Sequence, residues 1–578
     1  MSDFRVWAPN ARSADVVLGE RRLPLTRNAA GWWSANVEEA DPGTDYAFSL
    51  DGGKPLPDPR SPWQPYGVHG ASRTVDHSAF QWTARSWQPP PLSSAIIYEL
   101  HIGAFTPGGT FESAIDRLRY LKDLGITHVE IMPVAEFPGE RGWGYDGVDL
   151  FAPHHAYGGP DGLKKFVDAA HREGLAVILD VVYNHLGPDG NYLGHFGPYF
   201  TQLHHTPWGE AVNLDGAGST EVRRFLCDNA LMWLRDYHFD GLRLDAIHAI
   251  FDSSAIHFLA QLSREVEDLE ATTGRHFFLI AESDLNDPRV VTPREAGGLG
   301  FNAQWSDDFH HAVHTLLTGE NAGYYADFGR MEDLAAALKD MFVYAGRESA
   351  FRGRVHGKPV RGLSAHHFIA CIQNHDQVGN RAKGDRIGAL SGAARQKIGA
   401  ALLLCGPSIP MLFQGEEFGA ATPFQYFTNH SDPELGAAVS KGRREEFASF
   451  GWQPEDVPDP QDVSTFNASR LSWSEIEQPA HRDLLAWYRS LIALRRSTPA
   501  LNNGNLDAIQ IDFSEPDRWL ILYRGHIAIA CNFSKTSLSL ALHFPARALL
   551  TSGPDINVTE SKIDLAPESV AILQELRP

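Results

Sequence analysis

The sequence predicts an α/β protein, a (β/α)8 barrel flanked by N-terminal and C-terminal β-sandwich domains. Between about 91 and 500, eight apolar runs suited to buried parallel strands alternate with amphipathic helical patterns. Residues 1–90 and 501–578 read instead as short β segments punctuated by Gly, Pro, Asn and Asp. No Gly-rich GxGxxG turn follows the first apolar run, which weakens the alternative, a doubly wound open sheet.

The N-terminal strands are expected in FRVWAPN, ADVVLGE, GWWSANV and DYAFSLDG, with Trp32 and Trp33 read as core residues in preference to a platform that stacks on a sugar. The Pro-rich tract DGGKPLPDPRSPWQPYG and Pro89 to Pro91 close this domain. The barrel strands are SAIIYELHIG, THVEIMPV, LAVILDVVYNH, FDGLRLDAIH, FFLIAESD, FNAQWSDD, HFIACIQNHD and SIPMLFQGEEFG. Helices over FESAIDRLRYLKDLG, GLKKFVDAAHREG, EVRRFLCDNALMWLRDYH and SAIHFLAQLSREVEDL carry apolar residues at three- and four-residue spacing. After the third strand, about 186–218 form an excursion rich in Gly, Pro, His and aromatics, a length usually kept for function. AIQIDF, WLILYRG, IAIACNFS, LSLALHF and SVAILQEL build the C-terminal domain.

A formal charge of -22 argues against a nucleic-acid partner. No secretory signal is expected from MSDFRVWAPN, and IGAALLLCGPSIPMLF reads as too short and too broken by Gly406, Pro407 and Pro410 to span a bilayer. Cys227, Cys371, Cys405 and Cys531 are scattered without a CxxC pair, so neither a disulfide framework nor a cysteine zinc site is expected. The expected compartment is the reducing cytoplasm.

Chemistry concentrates at the strand ends. In DGLRLDAIH, strand alternation puts Arg243 and Asp245 on one face and Leu242 and Leu244 on the other. The third strand ends in Asp180, Asn184 and His185, the fifth in Glu282, the seventh in Asn374, His375 and Asp376. In a barrel these converge on one rim. Three carboxylates gathered there repel one another and suit two chemistries, a divalent-metal site or glycoside hydrolysis with one ionised and one protonated carboxyl.

DVVYNH, DGLRLDAIH, IAES and QNHD, in this order on these strands, resemble the four short conserved regions of the α-amylase superfamily of glycoside hydrolases. The resemblance implies that Asp245 is the nucleophile, Glu282 the general acid/base, and Asp376 the third carboxylate, which holds sugar hydroxyls. It implies that Arg243 orients the nucleophile and that His185 and His375 bond the sugar at the cleavage point. His248, at the end of the same stretch as Asp245, is a further candidate. GWGYDGVD resembles the aromatic floor, with Tyr145 stacking and Asp146 nearby. Arg243 is expected to lower the pKa of Asp245, and the apolar FLIA run to raise that of Glu282.

YELHIGAFTPGGTF, VAEFPGERGWGYDGV, QWSDDFHHAVH and GEEFGAATPFQYFTNHSD are similar to the trehalose-releasing members of that superfamily. The implied substrate is maltooligosyltrehalose, cut at the α-1,4 bond beside its trehalose end. A metabolic partner would make that substrate, and neither a cofactor nor a metal requirement is expected. Branching enzymes, the runner-up, usually carry a second glutamate where Ser283 follows Glu282; a non-catalytic glucan-binding relative is disfavoured by the complete carboxylate set. Candidates for holding the trehalose end are Asp307, Asp308, His311, Trp208, Gln377, Asn380 and Arg381, with Trp305 expected in the core.

Overall fold

A computed structural model describes residues 2–38, 40–448, 453 and 456–576. Eight parallel strands close into a barrel: β1 (Ile97–Leu100), β2 (His128–Ile131), β3 (Ala176–Val181), β4 (Gly241–Leu244), β5 (Phe278–Ala281), β6 (Ala303–Trp305), β7 (Phe368–Cys371) and β8 (Ile409–Phe413). Each lies in the run the sequence marked. Their residues are buried throughout, which explains continuous apolar runs rather than alternating ones. One apolar layer, including Ile97, Ile178, Ile280, Ile369 and Met411, lies among the strands. A much larger one, with Leu242 and Leu244, continues among the surrounding helices.

The helices depart from their expected spans where polar side chains intervene. The first breaks into Phe111–Ile115 and Leu118–Leu124. The helix expected from Ser254 begins at Phe258, because the Asp252 carboxylate accepts the Phe258 amide at 2.5 Å and holds the preceding residues in a loop. Gly174 ends Gly159–Glu173 in the left-handed region, where its amide bonds the carbonyls of Ala170 and His171.

The N-terminal region forms a three-stranded and a four-stranded sheet, with Arg21–Pro24, Thr26–Arg27 and Ser72–Arg73 in addition to the expected strands. Trp33 is buried, and Trp32 donates to Glu221 of the barrel at 3.1 Å beneath Arg5 and Arg60. Neither indole offers an open platform. The C-terminal region forms a five-stranded and a three-stranded sheet, adding Ala546–Thr551, Asn557–Thr559 and Lys562–Leu565. No helix among the described residues is long and apolar enough to cross a membrane. All four cysteines are free and buried.

Two excursions overhang the carboxyl ends of the strands. The one after β3 contains a hairpin, Phe200–Thr206 with Gly209–Val212, whose turn presents Trp208. A second, between β6 and β7, holds the helix Met331–Lys339 and the hairpin Arg347–Ser349 with Arg354–His356.

Candidate active site

Register places the central pair. Leu244 of β4 lies opposite Ala281 of β5, so the next residues, Asp245 and Glu282, leave neighbouring strands at the same height. Adjacent strands stand ~4.8 Å apart. Ladder bonds continue past both strand ends, from the Asp245 amide to the Val181 carbonyl and from the Glu282 amide to the Leu244 carbonyl, each 3.0 Å. The chain then turns at Ala246, held in the left-handed region at φ 37°. That conformation is costly for a residue with a Cβ and aims the Ala246 amide at Glu282 Oε2, 2.8 Å away.

Arg243 ties the group together. Its Nη1 donates to both oxygens of Asp180 at 2.8 and 2.7 Å and to Asp245 Oδ1 at 3.1 Å. Its Nη2 lies 2.8 Å from Glu282 Oε2. The guanidinium is fully closed from solvent over the Trp305 ring, 4.1 Å from its centroid, so Trp305 is a buried support. The Asp245 and Glu282 side chains keep 11% and 17% exposure, so both carboxyls open outward from a sealed cation. Asn184 donates to the Asp245 carbonyl and carboxylate at 2.8 and 2.7 Å while its Oδ1 faces His185 Nδ1.

Burial pushes Asp245 up, and Arg243 opposes that without cancelling it. The expectation of a lowered Asp245 is thus corrected: a site closed this far from water outweighs one shared guanidinium. Burial also raises Glu282, opposed by Arg243 and reinforced by Asp245.

The two histidines differ in charge. Burial pulls His185 down to about 4, so it is neutral. Burial would pull His375 down as well, but Asp376 and Glu99 lift it to about 10. Glu99, from β1, accepts the His375 amide at 2.9 Å and faces Nδ1 at 2.5 Å. Tyr145 stacks on His375, donates to Asp180 at 2.6 Å, and meets His375 Nε2 at 2.7 Å. Asp146 is half-buried, 3.8 Å from His430, and burial raises its carboxyl. Asp376 sits on the short helix His375–Gly379, with Asn380 Nδ2 3.2 Å from its Oδ1 and Gln377 half-buried beside it. Trp208, half-exposed, stacks on His185 at 4.4 Å and 12°. Asp307 adjoins this group; burial first, then Glu282, Asp308 and Asp376, pushes it up to about 8. His248 lies exposed beyond β4, 3.9 Å from Asp284.

Three of the candidates make internal contacts of their own. Asp308 is buried and accepts the amides of Val343 and Tyr344 at 2.6 and 2.9 Å and the Asn286 side chain at 2.8 Å, fixing the second excursion. Arg381 is locked bidentately on Glu320 at 2.7 and 2.8 Å. His311 is buried against Tyr324, Tyr325 and Phe328. Sequence reasoning missed Glu99 as a site residue; an acid inside the apolar run IIYEL was its only signal.

Residues 73–196 match the family described as alpha amylase, catalytic domain, and residues 2–64 match carbohydrate-binding module 48, the isoamylase N-terminal domain. The malto-oligosyltrehalose trehalohydrolase of Rhizobium sp. (strain M-11) is 47% identical, over 99% of this chain and 97% of its own. The chain belongs to the malto-oligosyltrehalose trehalohydrolase family. The Mycobacterium tuberculosis member (strain H37Rv) is 44% identical over the whole of both chains. A Salmonella typhimurium crystal structure described as an alpha amylase superposes with TM-score 0.91 at 40% identity, covering 99% of this chain and 97% of that one. These family relationships make the chain a glycoside hydrolase, and the rim around Arg243 is its candidate active site.

Proposed function

We propose that this chain hydrolyses the α-1,4-glucosidic bond next to the trehalose end of maltooligosyltrehalose, with retention, releasing trehalose and a maltooligosaccharide. The observation that carries the mechanism is the single guanidinium of Arg243 set against both Asp245 and Glu282. Carboxyls rising at one height from adjacent strands suit the ~5–5.5 Å separation of retaining enzymes, not the wider gap that admits a water between them.

In this reading Asp245 attacks the anomeric carbon while Glu282 gives its proton to the departing trehalose oxygen. The charge on Asp245 helps keep Glu282 protonated. Once Asp245 is esterified that charge is gone, the Glu282 pKa falls, and Glu282 becomes the base that takes a proton from water. The water oxygen bonds the anomeric carbon, and Asp245 leaves as carboxylate. Asp376, His185 and His375 hold hydroxyls of the same sugar, and Tyr145 carries its face. Trp208 and Asp307 serve the sugars beyond it.

The family relationship supports this substrate, and a role in trehalose formation in the cytoplasm is part of the same proposal. It requires another enzyme to build the trehalose-terminated chain. Incubation with maltooligosyltrehalose should release free trehalose, and Glu282→Gln should abolish that release. A change in amylose iodine colour without new reducing ends, in place of trehalose release, would instead make the chain a branching enzyme.

A further inference from the structure

The loop that carries Tyr145 and Asp146 leaves and rejoins a small antiparallel pair, Ala135–Glu136 with Asp149–Pro153. At its neck Glu136, His154 and His155 converge. The side chains of Glu136 and His154 are fully closed from solvent, and that of His155 is 24% exposed. Glu136 Oε1 lies 2.6 Å from His155 Nδ1, and Oε2 lies 3.3 Å from His154 Nδ1. One ligand atom from each residue lies within 4.8 Å of the other two, an arrangement found once among the described residues.

His154 distinguishes this group from a plain ion pair. Its Nε2 makes no hydrogen bond and its Nδ1 has only the 3.3 Å contact with Glu136, although the residue is fully buried. Its face lies on Phe137 at 3.7 Å and its edge meets Tyr157, so packing fixes the ring with Nδ1 toward Glu136. Asp149, paired in register with Glu136, has a second buried oxygen without a partner. Buried polar atoms left unpaired are uncommon and call for a missing ligand, water or ion.

We propose that Glu136, His154 and His155 bind a divalent transition-metal ion of the zinc class. Two imidazoles and one carboxylate are the donor set such ions prefer, whereas calcium and magnesium demand oxygen. Bonds of ~2.0–2.2 Å in a tetrahedral arrangement separate ligand atoms by ~3.4 Å. The contacts of His154 and His155 are to different oxygens of Glu136, and the three ligand atoms, within 4.8 Å of one another, draw together by about an ångström to close on one ion. Water enters the fourth position past the half-exposed His155. The ion clasps the neck of the Tyr145 loop and touches no sugar, so it stabilises the protein without entering the hydrolysis.

The test is titration of the EDTA-stripped full chain with zinc by calorimetry and with cobalt(II) by visible absorption. One ion per chain should bind with a micromolar or tighter Kd, and zinc should raise the melting temperature. His154→Ala empties a closed pocket and endangers folding, so His155→Ala and Glu136→Gln decide. Each should weaken binding at least tenfold and remove the zinc-dependent rise in melting temperature. No saturable binding, or binding that both variants leave unchanged, overturns the site.

Discussion

Two groups of buried carboxylates stand at the same end of the barrel and are held in opposite ways. After β4 and β5, Asp245 and Glu282 share the Arg243 cation with Asp180 and stay partly open to the groove. After β8, Glu416 and Glu417 are sealed. Tyr98 and Tyr120 donate to Glu417 at 3.2 and 2.8 Å, and Tyr488 donates to Glu416 at 3.1 Å. The nearby Arg386 donates to the backbone carbonyls of Thr422 and Gln414. Hydroxyl donors satisfy an acid in either protonation state, whereas a cation favours the ionised one. Burial accordingly lifts Glu416 to about 8 and Glu417 to about 7. Burying an acid is thus not the mark of catalysis; a cation behind it and an open face before it are.

The sharpest way to break this contrast is Asp245→Asn. It keeps shape and removes the charge that attacks, so kcat/KM should fall at least ~10³-fold, about 4 kcal/mol of transition-state stabilisation. The melting temperature should hold or rise, because one member of a crowded acid group has been discharged. Turnover within tenfold of the parent would mean that the open group is as inert as the sealed one.

Glu417→Gln should do the reverse, leaving turnover within about threefold. Its effect lies in stability against pH. The folded pKa of Glu417 stands near 7, above its ordinary 4.5. The folded state therefore binds the proton more tightly, and that stabilisation is complete below pH 4.5 and lost as pH rises toward 7. The parent should lose roughly 3 kcal/mol more than the variant across that window, by denaturant unfolding at a series of pH values. Parallel curves would show that Glu417 is ionised throughout and that its hydroxyl donors do not hold a proton there.

The same contrast sets what could be read from sequence. All eight strands were legible because each is a short run buried on every side and ended by polar residues. Alternation alone put Arg243 and Asp245 on one face. Contacts across the rim left no such trace. Asp308 looks like Asp307 in sequence, yet one turns to backbone amides and the other to the groove, a difference of helix phase set by the neighbouring loop. Arg381 looks available until Glu320, 61 residues away in sequence, claims it. The hairpin at Arg347–Ser349 and Arg354–His356 is largely solvated and charged, so it lacks the apolar pattern that marks a strand. The Asp245 shift failed for a related reason: the neighbour's charge is written in the sequence, and the degree of closure is not.

Trp208 gives the smallest and most local test. Its ring lies on His185 at the tip of the hairpin and remains 51% exposed. It contributes little packing, so Trp208→Ala should shift stability by less than ~0.5 kcal/mol. If it shelters the sugar beyond His185, losing one stacking face should cost about 1–1.5 kcal/mol in binding, roughly tenfold in KM with kcat less affected. The penalty should be smaller for plain maltooligosaccharides than for maltooligosyltrehalose, since only the latter places trehalose past the cleavage point. An equal loss on both would assign Trp208 to the general support of His185 and leave the trehalose end to Asp307 and its neighbours.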